Sequence, residues 1–206
     1  MSLLLAALLV AKLPLVVRVY DTTGMSASKL ELARADVGQT LTAIGIEPIW
    51  RPCHATGCVG RPKPHDVSVR IVKSGPASEF GSLGYSSIDT EQQAGTLATI
   101  YADRVDSLAA QAGMDGGVLL GRVIAHEIGH LLLGAPEHGR QGLMRAVWRV
   151  EELRRERSID WVFSGQEGAL MRRHLIARAA LAAAAEADVA EVSVSDPRSA
   201  LLSTAP

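Results

Sequence analysis

The chain has 206 residues, which suits one domain with a real core, or one domain with an ordered C-terminal extension. Apolar residues make up 48% and charged residues 21%, which excludes a disordered chain. Lys and Arg (21) nearly balance Asp and Glu (22), so the electrostatic footprint of a nucleic-acid binder is missing and no nucleic-acid partner is expected.

The chain opens on an apolar run, Leu3 to Ala11, too short to span a membrane. It reads as the hydrophobic region of an export signal covering residues 1–14, with a backward extension of the first strand as the alternative. On the first reading the protein is periplasmic or secreted, with no membrane span in the mature domain. Val16 to Tyr20 is β-branched and aromatic and ends at Asp-Thr-Thr-Gly, a strand followed by a turn. Ser28 to Glu31 has capping-box spacing, and Leu30, Ala33, Val37, Leu41 and Ile44 recur at helical intervals up to Gly45. Ile46 to Trp50 is short and β-prone. Strand, helix, strand in this order implies a crossover between parallel strands.

Residues 52–66 are rich in Pro and Gly and read as a surface loop. It holds Cys53 and Cys58, whose close spacing is that of a small-loop disulfide; a metal site with His54 is disfavoured because no second pair of ligands follows. Val67, Val69 and Ile71 alternate with polar residues, as in a half-buried strand. An irregular edge strand is expected around Leu83 to Ile88, another strand over Thr96 to Tyr101, and a short helix from Val105 to Gly113.

Residues 117–133 are apolar on nearly every helical face, so this helix belongs at the centre of the domain. Gly134 is placed to cap it, and Pro136 cannot continue it. Past Met144 the chain is helical again, with Ser164 to Glu167 as a second capping box before a helix over 170–185. Residues 186–206 lack periodicity and are expected to be a disordered tail. The predicted fold is α/β (α+β): a small twisted mixed sheet with a backing helix, a central active-site helix and a C-terminal helical part.

The central helix carries the chemistry. His126 and His130, four residues apart, project from one face one turn apart and can reach one zinc ion, with Glu127 beside it to take a proton from water. Two histidines and a glutamate on a core helix would otherwise each need a buried hydrogen-bonding partner. A catalytic zinc takes a third protein ligand, and His138, just past the Gly134 and Pro136 break, is the leading candidate.

The segment HEIGHLLLGAPEHGRQGLM, residues 126–144, resembles the metzincin clan of zinc proteases, and is most similar to bacterial metzincin-like proteins with a late third His and a Gly-Leu-Met-Arg turn. The usual clan spacing is HExxHxxGxxH; here the glycine comes one residue late and the third His two residues late. The resemblance covers residues 15–180, within an expected catalytic domain of 15–185. It implies Zn²⁺ held by His126, His130 and His138, Glu127 as general base, Gly134 as the turning glycine, Met144 as the Met-turn residue, and hydrolysis of a peptide or protein substrate.

Three alternatives stay open at this point. A gluzincin-like protease would recruit Glu151 or Glu152 as third ligand, and a deformylase would recruit a cysteine. A non-catalytic zinc-binding or interaction module would keep the fold without the activity. Arg145, next to Met144, reads as a surface arginine or as a group facing the cleft.

Overall fold

The computed structural model describes residues 12–53, 58, 63, 66–76, 81–92, 94–155 and 158–195. The strands are β1 (Leu13–Asp21), β2 (Ile46–Cys53), β3 (Val67–Val72), β4 (Gly84–Asp89) and β5 (Ala94–Tyr101). The helices are α1 (Ala27–Ala43), α2 (Ala102–Ala112), α3 (Gly116–Leu133), α4 (Val150–Arg155) and α5 (Gly165–Ser195), with a 3-10 turn at Ser158–Trp161. The five strands form one mixed sheet in the order β2-β1-β3-β5-β4, and the fold is α/β as predicted.

β1 pairs in parallel with β2 and with β3, β3 pairs in parallel with β5, and β4 closes the sheet antiparallel to β5. The predicted edge strand is therefore an edge. β2 is the other edge, and it runs on through Pro48 and Pro52 to Cys53, beyond the predicted end at Trp50. Prolines lack a ladder donor and are tolerated on such a strand. Leu15, Val17 and Val19 on β1 alternate into the core with Val67, Val69 and Ile71 on β3. β1 begins at Leu13, earlier than the predicted Val16; the apolar run before it lies outside the described residues.

One local expectation is corrected. The cap of α1 is Ser26, whose Oγ accepts from Lys29 N at 3.3 Å, because the Asp21 carboxylate closes the preceding turn by accepting from Thr23 N and Met25 N. Ser28 thus sits inside the first turn, and Glu31 pairs with Arg34. At the other end, α5 runs to Ser195; residues 196–206 lie outside the described residues. Its start is as predicted: Ser164 N donates to Glu167 Oε2 (2.7 Å) and Glu167 N donates to Ser164 Oγ (3.2 Å), a reciprocal capping box.

α3 is long and apolar enough to cross a membrane, but it lies inside the domain with 83% of its length buried. α1 approaches it through glycine: a Cβ on Gly121 would lie 2.6 Å from Asp36 Cβ and 2.8 Å from Ala33 O. α5 clamps its far end, where His174 Nδ1 donates to Leu132 O (3.0 Å) and Arg178 donates to Leu131 O. Donors at the C-terminal carbonyls satisfy groups that the helix leaves unpaired.

At the contact between α1 and α3, burial pushes the Asp36 carboxyl up to about 6, against the attraction of Arg122, and its Oδ2 has no hydrogen-bond partner among the described residues. The folded protein therefore holds this proton more tightly than the unfolded chain does. The group costs almost nothing below about pH 4; its cost grows as pH rises to about 6 and stays at its full value above, on the order of 3 kcal/mol. Asp36→Asn is expected to raise the unfolding midpoint at pH 7 by about 6–12 °C and to leave it nearly unchanged at pH 4, as read by thermal denaturation at the two pH values.

Candidate metal centre

The site is built on α3, whose cap Asp115 accepts from Gly117 N at 2.6 Å and whose end is Gly134, left-handed at φ 66°. Its sequence places His126 and His130 one turn apart, and burial on every side makes both side chains rigid. At Gly134 the chain reverses, and Ala135 returns its carbonyl to His130 Nδ1 at 2.9 Å. Leu143 O meets His126 Nδ1 at 2.8 Å. A carbonyl can only accept, so both Nδ1 atoms carry the proton and both Nε2 atoms present a lone pair.

Those lone pairs converge. His130 Nε2 lies 3.1 Å from His126 Nε2 and 3.3 Å from His138 Nε2, and the ligand atoms of all three lie within 4.8 Å of one another. Burial lowers the pKa of His126 to about 4 and lowers those of His130 and His138 as well, with the neighbouring imidazoles adding to the effect at the first two. The facing Nε2 lone pairs of neutral His126 and His130 repel one another unless a cation joins them, and His138 Nε2 stands beside them as a third donor atom. Tetrahedral zinc with Zn–N bonds of 2.0–2.1 Å separates its ligand atoms by about 3.4 Å, so this donor set fits Zn²⁺. The carbonyls behind His126 and His130 fix tautomer and ring orientation, as the outer partners of metal-ligating histidines do.

The loop after His138 supports the site from below. Gly139 N donates to Met144 O at 2.7 Å, and Gly142, at φ 72°, turns the chain so that Leu143 N donates to Val162 O at 2.9 Å. Met144 is fully buried beneath α3 at Gly129, where a Cβ would lie 2.5 Å from the Met144 sulfur and 2.9 Å from Phe163. Glycine at this position of the His-Glu-Ile-Gly-His motif is therefore a packing requirement.

Glu127 stands outside the triad. It is buried, and its Oε2 accepts from Ser86 Oγ on β4 at 2.6 Å. Burial raises its pKa to about 7, partly offset by the Ser86 hydrogen bond. Histidines and glutamate together line a cleft of about 1150 Å³, walled by β4 on one side and by Arg145 to Trp148 on the other.

Glu151 and Glu152 do not join the three histidines. Glu152 is committed to α4, with Oε2 accepting from Arg149 N at 3.0 Å and Oε1 3.2 Å from Arg145 Nη1. Arg145 lines the cleft but is held by that carboxylate and by Gly142 O (3.0 Å). Cys53 and Cys58 form a disulfide, as their spacing predicts; His54 lies outside the described residues. Two contributors were not anticipated from the sequence. Trp148 packs edge-on against His126 with ring centroids 5.5 Å apart and against Trp161 at 5.4 Å. Ser86 holds Glu127, and the signal for it was present: small residues at the alternate, inward positions 84 and 86 of an edge strand.

No family model matches the chain, and no curated protein matches it in sequence. Solved structures do match. A zinc-dependent peptidase from Methanocorpusculum labreanum is 15% identical, with 76% of this chain and 99% of that chain covered and a TM-score of 0.49. Archaemetzincin from Methanopyrus kandleri is 16% identical over 80% of this chain and 96% of that chain, with a TM-score of 0.49. Metalloproteinase-II from Bacteroides fragilis is 13% identical, with a TM-score of 0.50 over 79% of this chain. The last likeness is one of fold. The chain spans about half of that protein, 53% of its length.

Proposed function

We propose that this chain is a metzincin-like, zinc-dependent endopeptidase acting on peptide or protein substrates. The observation that carries this is the convergence of three imidazole Nε2 atoms beside a buried carboxylate, in the wall of a cleft bordered by an edge strand. The fold shared with metalloproteinase-II supports the same reading. His126, His130 and His138 hold the metal, and Met144 is the Met-turn residue that supports them from beneath. The chemistry a bound zinc supplies here is Lewis acidity toward water and toward the scissile carbonyl.

The remaining steps belong to the protein's own groups. Glu127 takes a proton from the attacking water at its carboxylate and delivers it to the leaving amine nitrogen. β4, last in the sheet order, offers its outer backbone groups to an extended substrate, which is thus recognised by main chain more than by side chain. The catalytic domain spans residues 15–185. The Cys53–Cys58 bond supports export to the periplasm or beyond, where disulfides persist, with the apolar run Leu3 to Ala11, ahead of β1, as the hydrophobic region of the signal.

The zinc-loaded protein is expected to cleave casein or members of a random peptide library, to lose the activity on dialysis against a chelator and to regain it on adding zinc. Protein that holds one zinc per chain and cleaves none of these substrates would overturn the reading in favour of a zinc-binding module without catalysis.

A further inference from the structure

Along β4 the side chains alternate. Gly84, Ser86 and Ile88 face inward, while Tyr85, Ser87 and Asp89 are exposed. Both oxygens of the Glu127 carboxylate meet the first two inward positions. Ser86 Oγ lies 2.6 Å from Oε2 and 2.9 Å from the backbone carbonyl of the same residue. Its single proton has two acceptors in reach, and both belong to Glu127. On the other side, a Cβ on Gly84 would lie 2.8 Å from Glu127 Oε1, 3.0 Å from its Cγ and 3.0 Å from Thr99 O, so Oε1 occupies the space a side chain would fill.

We infer that Gly84 and Ser86 form a positioning slot that aims the Glu127 carboxylate, so that the strand proposed to bind substrate also sets the direction of the base. The inference rests on the peptidase reading above. A buried carboxylate needs a hydrogen-bonding partner, and among the described residues Ser86 is the one that supplies it. Bare Gly84 brings the carboxylate against the strand, and the Ser86 hydroxyl fixes its rotation. Any shift of β4 when a substrate pairs with its outer edge carries the base along. Ser86 is thus a positioning residue acting through Glu127.

The test compares zinc-loaded wild type, Ser86→Ala and Ser86→Thr. Loss of one hydroxyl on a half-buried edge strand leaves the fold intact, and zinc affinity by chelator competition stays at the wild-type value. In the crystal structure of Ser86→Ala the Glu127 carboxylate leaves its wild-type position. On a cleaved peptide kcat falls by about 10- to 100-fold while KM changes by less than about twofold, and Ser86→Thr, which keeps the hydroxyl, recovers most of kcat. A carboxylate that stays in place in Ser86→Ala overturns the slot, as does a loss confined to KM. If the wild type cleaves no peptide, the peptidase reading falls, and the carboxylate position in Ser86→Ala still decides the slot: displacement upholds it and an unmoved carboxylate overturns it.

Discussion

Alanine at His126 or at His130 is expected to abolish stoichiometric zinc binding, as read by metal content after dialysis and by calorimetric titration. Both imidazoles stand on a helix buried on every side, and each is held at Nδ1 by a backbone carbonyl. Removing one leaves a gap that nothing fills, because among the described residues no further His, Cys, Asp or Glu joins the cluster. His138→Ala is expected to weaken binding by more than about 100-fold, since loss of a direct ligand exceeds the effect of losing an outer partner. His138 sits on an exposed stretch of loop, where water can take part of its place, so its effect should be the smallest of the three. Zinc at 1,000 times its dissociation constant stabilises the wild type by about 4 kcal/mol, and that gain should vanish with His126 or His130. Stoichiometric zinc in either variant would remove the site. If His138→Ala bound like wild type while Glu151→Ala or Glu152→Ala lost the metal, the third ligand would be a glutamate and the gluzincin-like alternative would replace this one.

Glu127→Gln is expected to keep one zinc per chain and to lower kcat/KM by about 10²- to 10⁴-fold, the range that a positioned general base contributes. The amide is isosteric with the carboxylate, and its oxygen can still accept from Ser86. What disappears is the site that holds a proton. Burial disfavours the ionised glutamate, as its raised pKa of about 7 states, so near neutral pH the amide should fold at least as stably as the acid. Lost activity together with an unchanged or higher unfolding midpoint separates a chemical role from a structural one. Undiminished turnover in this variant would show that the proton goes elsewhere.

Much of the frame was legible because its signals are local. The alternation at Val67, Val69 and Ile71 and the apolar run over 117–133 mark buried strand and buried helix through burial itself, which repeats with the period of the element. Ser164 and Glu167 lie within one helical turn, so their reciprocal cap could be read directly from spacing. At α1 the same spacing misled. Ser28 and Glu31 have the right separation, yet the carboxylate of Asp21 had already closed the turn and passed the cap to Ser26. A competing hydrogen bond from outside the window decides such a case.

The sequence by itself determined that two imidazoles and a carboxylate share one helix, because four residues of α-helix place two side chains on one face wherever that helix is packed. It determined the break at Gly134 as well, since φ > 0 belongs chiefly to glycine. Only the tertiary structure decided that His138, and neither Glu151 nor Glu152, comes within reach of the other two histidines: that depends on the path of a nonperiodic loop, fixed by Gly142 and by the hydrogen bonds of Gly139 to Met144 and Leu143 to Val162. Only it could show the carbonyls of Ala135 and Leu143 behind the imidazoles, because every residue has a carbonyl and no side-chain pattern marks the one that will be used. The pairing of Ser86 with Glu127 across 41 residues belongs to the same class, since contacts between an edge strand and a core helix are set by how the sheet packs, which has no period along the chain.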